Sequence, residues 1–290
     1  MTIDMTTSAP RKLPVWAVTT RAYGYVWDHR APFAIPVLIL FVALVATTIL
    51  MQLPYVAAAQ GGGSVPISAK LGALVGYIAK VAISIAFAVG VHRTVLLNEG
   101  REGLSFFRWD MNFRRYFVTL LLIVLITVGY LLASILLGAI VGGIGVFAGK
   151  LAGGGTGAVL MIACGIAALG GFLWLTAQFS RVFLALPAAA LGEQEAITLS
   201  WRATRGNGWL LLGASFLAAL PVFVATAIAE APYIINSVAD RMAQPHAPTT
   251  PPGLGTIVAL SLVGALSAPV LITVLSLSYD VLVRGGGPRD

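Results

Sequence analysis

The chain has 290 residues, of which 58% are hydrophobic and only 10% charged, with a net charge of +7 and a mean hydropathy of +0.92. A soluble domain carries about a quarter of its residues as charges, so water is excluded as the solvent for most of this chain. One bilayer span takes about 20 apolar residues, which leaves room for roughly six or seven spans, short loops and no separate soluble core.

The net positive charge is not a nucleic-acid signature, because the basic residues occur singly or in pairs rather than in a dense patch. A single cysteine, Cys164, excludes an intramolecular disulfide and a cysteine-based zinc site. The start, "MTIDMTTSAPRKLPVW", lacks the basic-then-apolar pattern of a signal peptide, so the first span is expected to act as its own insertion signal. Residues 1–12 read as a flexible tail, 13–283 as one six-span membrane domain and 284–290 as a second tail.

In chain order, the apolar runs predict spans at 32–53, 71–93, 117–141, 157–183, 208–230 and 254–280. The fourth is the longest, and Pro187 near its end predicts a bend. Connections alternate in character. One set is basic and aromatic: 1–31, 94–116, 184–207 and 281–290. The other is rich in glycine and proline: "YVAAAQGGGSVPIS", "GGIGVFAGKLAGGG" and "APYIINSVADRMAQPHAPTTPPG".

With the adjoining helix ends at Arg93 and Arg181, the first set holds fourteen of the eighteen Lys and Arg residues; only Lys70, Lys80, Lys150 and Arg241 lie elsewhere. By the positive-inside rule the basic set is cytoplasmic. Both termini are then inside, which requires an even number of spans, and six satisfies it. The expected architecture is all-α: a polytopic membrane protein with six transmembrane helices in three hairpins and short cytoplasmic interfacial helices.

Each hairpin is preceded by a basic, aromatic stretch: "WAVTTRAYGYVWDHRAPF", "LSFFRWDMNFRRYF" and "LSWRATRGNGWL". The first and third align without gaps at an offset of 178 residues, Tyr23 over Trp201, Ala22 over Ser200 and His29 over Asn207. A true internal repeat and the shared boundary chemistry of inserted hairpins both account for that. In residues 15–27, Val15, Val18, Ala22 and Val26 recur at helical spacing; in residues 193–205, Ile197, Trp201 and Thr204 make one face. Such helices lie at the headgroups, with Trp16, Arg21, Trp27 and Arg30 anchoring the first, and Trp201, Arg202, Arg205 and Trp209 the other. Gly206-Asn207-Gly208 predicts a helix stop.

Catalytic chemistry finds little support. "VGGIGVFAGKLAGGG" places Ile144 and Leu151 where a phosphate loop needs Gly and Ser or Thr, and its glycines are too widely spaced for a dinucleotide fold. The histidines (His29, His92, His246) fall in three separate segments, and Cys164 sits in mid-span as a small hydrophobe. No enzyme activity, cofactor or metal is expected.

Intramembrane charge is costly, about 2.5–3.5 kcal/mol on insertion scales, which singles out Lys80 in the second span and Glu230 at the end of the fifth. Two readings stand: Lys80 snorkels outward while Glu230 is interfacial, or the two form a polar pair or Lys80 lines a cavity. Asp280 and Arg284, four residues apart, are spaced to pair on one helical face. Gly72–Gly76, Gly138–Gly142 and Gly165, Gly170 and Gly171 suit close helix contact within the bundle or along a homodimer seam. Pro221 and Pro269 predict kinks in the last two spans.

The segment "RVFLALPAAALGEQEAITLSWRATRGNGWLLLG" combines Arg181, Pro187, Glu193, Ser200-Trp201 and Arg205-Gly206-Asn207. It resembles the stretch before the fifth span in a large, mostly uncharacterised group of bacterial six-span proteins. That group includes the membrane domain fused to some glycerophosphodiester phosphodiesterases and the YciC-like inner-membrane proteins. "TTRAYGYVWDHRAPF" resembles the same group's first helix, and "YDVLVRGGG" its closing tail. The chain departs from the fused members in lacking a soluble phosphodiesterase domain, so the resemblance implies a fold and the bacterial inner membrane, and no activity.

The expected function is a non-catalytic scaffold or partner subunit in envelope homeostasis. Its partners would be anionic lipid headgroups and a membrane protein or second copy, without nucleic acid. The alternative is a small transporter, channel or lipid-handling protein using Lys80 and Glu230.

Overall fold

The computed structural model describes residues 12–61, 65–100, 103–107, 109–152, 154–243 and 252–286. The two expected tails lie mostly outside the described residues, as do Arg11, Arg101, Arg108, Arg289 and His246. Among the described residues there is no strand, and six helical stretches are long and apolar enough to cross a membrane: Arg30–Gln52, Ile67–Leu97, Met111–Ala152, Thr156–Ala190, Gly208–Ala243 and Leu254–Arg284. The protein is an all-α polytopic membrane protein.

The helices are α1 (Val15–Asp28), α2 (Arg30–Gly61), α3 (Ile67–Leu97), α4 (Met111–Ala152), α5 (Gly154–Ser180), α6 (Ala185–Ala190), α7 (Ala196–Ala203), α8 (Gly208–Ala243) and α9 (Leu254–Tyr279). The bend expected near Pro187 is a single 3-10 turn, Arg181–Leu184, between α5 and α6. Asp280–Arg284 closes α9 as a π-helical turn, capped by Gly285 at φ 74°. Both α8 and α9 run on as helix through Pro221, Pro232 and Pro269.

Within the stretch read from composition as one membrane domain, the chain packs as two compact units interleaved in sequence. One joins Trp16–Arg114 to Ala214–Leu277. Its core is aromatic: Phe33, Leu40, Phe87, Val91, Phe106 and Ala265 are buried together. Phe106 comes from a 3-10 turn, Gly103–Phe106, that begins at Gly103 with φ 60°. Its ring meets Phe33 edge-on at 5.9 Å and Phe87 at 5.5 Å. Gly90 makes this possible, since a Cβ there would lie 2.6 Å from Phe106. Along the hairpin, a Cβ on Gly76 would lie 3.7 Å from Thr47 O, in ordinary contact, so α3 packs on α2 there without requiring glycine.

The "LSFFRWDMNFRRYF" stretch thus differs from expectation. It is not an interfacial helix. Its first half is a plug inserted against Gly90, and its second half starts α4, where Asp110 Oδ1 accepts the N–H groups of Asn112 (2.9 Å) and Phe113 (3.2 Å) as an N-cap.

The other unit comprises Arg115–Gly213 with the described residues of Met1–Val15 and Ser278–Asp290. Here α4, 42 residues long, pairs with α5 chiefly through small residues. A Cβ on Gly157 would meet Gly149 O, and one on Gly145 would lie 3.0 Å from Cys164 Cβ. Farther along, Tyr130 stacks on Phe179 at 5.2 Å and shares a hydrogen bond with Thr176 Oγ1. Of the glycines expected to pack in this hairpin, Gly171 does, a Cβ there lying 3.0 Å from Leu137 Cδ2, whereas Gly138, Gly142, Gly165 and Gly170 have nothing within 4 Å of a built Cβ.

The 178-residue offset extends beyond the short stretches. α2 begins at Arg30 after a one-residue break at His29, and α8 at Gly208 after a longer break over 204–207. Inward-facing positions correspond as well: Val18, Ala22, Phe33, Pro36 and Leu40 are buried, and so are Ala196, Ser200, Leu211, Ala214 and Ala218. The same register places Pro54-Tyr55 on Pro232-Tyr233, and Gln52 on Glu230. The two helix–break–span stretches thus share helix starts and buried positions at this offset, with breaks of different length.

Candidate functional site

The most heavily hydrogen-bonded region described is the turn from α5 to α8, in the unit containing Arg115–Gly213. Ser180 ends α5, and Ser180 Oγ donates to Gly208 O at 2.9 Å. Arg181 follows with 9% of its surface exposed. Its guanidinium donates to Thr204 Oγ1 (3.2 Å), Gln178 Oε1 (2.8 Å) and Trp201 O (2.6 Å). The same group lies flat on the Trp201 ring, 3.9 Å from its centroid. Ser200 Oγ returns a hydrogen bond to Arg181 O, and Thr204 Oγ1 donates to Ser200 O. Five-donor arginine suits such a hub where lysine does not.

The helix-stopping triplet divides three tasks. Gly206 takes φ 79°, which an L side chain resists. Asn207 is buried, and its Oδ1 accepts Leu13 N–H at 3.0 Å. Gly208 lies so close to α5 that a Cβ would sit 2.5 Å from Ala177 O. On the far side of α7, Arg115 Nη1 donates to the carbonyl of Gly192, itself at φ 91°.

This corrects the expected orientation of α7. Its buried face is Ala196, Ser200 and Thr204, while Trp201 keeps 45% of its surface exposed. The inward hydroxyls of Ser200 and Thr204 bond to the Arg181 carbonyl and guanidinium, and the Trp201 indole covers that guanidinium. Arg202, Arg205 and Trp209 are exposed. Glu193, Glu195, Thr198, Leu199 and Arg202 line an open hollow of about 150 Å³.

In the other unit, α1 buries Val18, Thr19 and Ala22 and leaves Trp16 and Trp27 exposed. Arg21 and Arg30 are also exposed, with the Arg30 guanidinium 5.2 Å from the Trp27 ring centroid. Tyr25 stacks on His29 at 4.1 Å and its hydroxyl donates to Thr94 O at 3.2 Å. Burial holds the Tyr25 and Tyr23 phenols above their usual pKa. Tyr23 donates to Ala218 O at 2.8 Å. Deeper in, Ser276 Oγ lies within hydrogen-bonding distance of both Ile272 O (3.0 Å) and His92 Nδ1 (2.8 Å).

Lys80 and Glu230 are both half-buried, and the structure gives neither an ion pair with any described residue. Asp280 Oδ1 and Arg284 Nη1 lie 3.9 Å apart on the π-turn. Among the described residues no three His, Cys, Asp or Glu side chains gather as a metal site would require.

Arg181, Ser200, Thr204, Glu193 and Glu195 were not singled out as site residues from the sequence. A signal existed for the first: Thr176, Gln178, Ser180 and Arg181 gather polar groups at the end of a long apolar run. Comparison with family models, with curated proteins and with solved structures finds no match to this chain.

Proposed function

We propose that this protein is a non-catalytic scaffold or partner subunit of a bacterial inner membrane, acting in envelope homeostasis, with its basic ends and both termini cytoplasmic. The observation that carries the reading is the α4–α5 hairpin. Over their most apolar windows these two spans have 6% and 0% of residues buried by the rest of the chain, although both are strongly apolar. A hairpin covered so little by its own protein offers an apolar helical surface of the kind an assembling subunit needs. The resemblance to a membrane domain otherwise found fused to an enzyme supports the same reading, as does the commitment of Arg181 to internal bonds.

The test is a photo-crosslinking residue at Ile140, exposed on α4, against one at Phe87, buried in the aromatic core. The reading expects one discrete protein adduct in cells from Ile140 and none from Phe87. Purified protein that moves a solute across liposomes, or turns over a lipid, sinks it.

A second reading is a small transporter or lipid-handling protein, favoured by the half-buried Lys80, which has no ion pair among the described residues. Solute flux that is lost in Lys80→Leu while folding and abundance hold would replace the scaffold reading with this one.

A further inference from the structure

We propose that the hollow on α7 binds the headgroup of a zwitterionic phospholipid that carries a primary ammonium, phosphatidylethanolamine in chemical class. The inference rests on the reading that α7 lies at headgroup depth, and it goes beyond anionic surface attraction.

α7 has two faces with different tasks. Ala196, Ser200 and Thr204 are buried on the Arg181 side. The other face, Glu195, Thr198, Leu199 and Arg202, follows i, i+3, i+4, i+7 spacing, and together with Glu193 it lines the hollow. Two carboxylates therefore stand at one end of a helix face and a guanidinium at the other. None of the three has an ion pair among the described residues.

Glu195 and Arg202 are seven residues apart, about 10 Å of backbone rise at 1.5 Å per residue, so the carboxylate and the guanidinium enter the hollow from opposite ends of the face. What fits such a gap is a dipolar group with an anion at one end and a hydrogen-bonding cation at the other. A phosphate takes the two-pronged guanidinium of Arg202, and an ammonium with three N–H donors takes Glu193 and Glu195. The Thr198 hydroxyl lies between them. A choline headgroup offers no N–H to the carboxylates, and a glycerol headgroup offers no positive charge.

The position fits a lipid rather than a free metabolite. The hollow is open, and exposed Trp201, next to Arg202 in the chain, carries a ring suited to the headgroup layer.

Native mass spectrometry of the full-length protein, titrated with short-chain phosphatidylethanolamine, phosphatidylcholine and phosphatidylglycerol, tests the proposal. Phosphatidylethanolamine is expected to bind about tenfold tighter than either competitor, the scale of one charge-assisted hydrogen-bond set. Glu193→Gln with Glu195→Gln should bring the three lipids within about twofold of one another, and Arg202→Gln should weaken all three. Equal affinity in the unaltered protein overturns the proposal, as does a preference that survives both variants. Soluble phosphoethanolamine binding as tightly as the lipid overturns the lipid assignment.

The underlying reading is checked separately by a nitroxide on Thr198→Cys in a Cys164→Ser background, in liposomes. Collision with a lipid-soluble and a water-soluble relaxant should place it at the headgroups. A label at that depth together with equal lipid affinities refutes the headgroup proposal alone; a label in bulk water refutes the surface reading with it.

Discussion

The hairpin of α2 and α3 and the hairpin of α4 and α5 are built from equally apolar sequence, yet they solve different problems. The window in α3 has a mean hydropathy of 2.1 and is 44% buried; the one in α4 has 2.8 and is 6% buried. The more apolar helix is the less covered. In a bilayer an apolar surface is covered either by lipid or by another helix, and α5, with a mean hydropathy of 2.3 and 0% burial, is left bare by the chain as α4 is. What marks an interior here is a match of large and small: Phe33, Phe87 and Phe106 against Gly90. α4 and α5 have their glycines too, but several of them face open space.

Truncation should break the comparison first, if it can be broken. Phe106→Ala is expected to cost about 3–5 kcal/mol, as for other buried aromatics, whereas Leu136→Ala on the exposed flank of α4 should stay within about 0.5 kcal/mol. Reversible unfolding in mixed micelles measures both, and equal losses would mean that α4 is covered after all. Next comes Arg181→Lys, which keeps the charge and forfeits the planar fork; about 2 kcal/mol is expected from its charged hydrogen bonds. An unchanged midpoint would show that the Trp201 stack alone holds α7.

A smaller pair of opposite sign sharpens the contrast. Gly90→Ala forces a Cβ into Phe106 and should destabilise by about 1–3 kcal/mol, while Gly138→Ala meets nothing and should gain about 0.5–1 kcal/mol of helix propensity. The smallest effect is alkaline. Burial raises the Tyr25 pKa above its ordinary 10.0, so its neutral form is favoured in the fold. That stability is present in full below the unfolded pKa and is lost as pH rises through the folded one. The unaltered protein should thus lose more stability above about pH 10 than Tyr25→Phe does, read as the pH dependence of the same midpoint.

Hydropathy alone made the six spans legible, and the glycine-asparagine break made the start of α8 legible. The pairing distance of Asp280 and Arg284 follows from their four-residue spacing. The role of Phe106 was not legible. An aromatic, basic stretch looks the same whether its rings float among headgroups or plug a core, and the deciding residue, Gly90, lies sixteen positions away. Arg181 was hidden for a related reason. Counted as one more inner-end charge, it gave away its topological value, while its partners Trp201 and Thr204 lie at least twenty residues downstream. The register of two similar units was visible in a handful of positions and became persuasive only when burial and helix starts repeated in step.

The length of α4 has a mechanical consequence. Its 42 residues amount to about 63 Å of helix at 1.5 Å each, against a hydrocarbon layer of about 30 Å. No charge interrupts it between Arg115 and Lys150. Such a rod cannot stand upright with its greasy length immersed. It must lean, or the lipids beside it must stretch, at a cost of fractions of a kcal/mol for every ångström of misfit. A thick membrane relieves that misfit and a thin one increases it, so the tilt of α4 is set by the thickness of the bilayer around it.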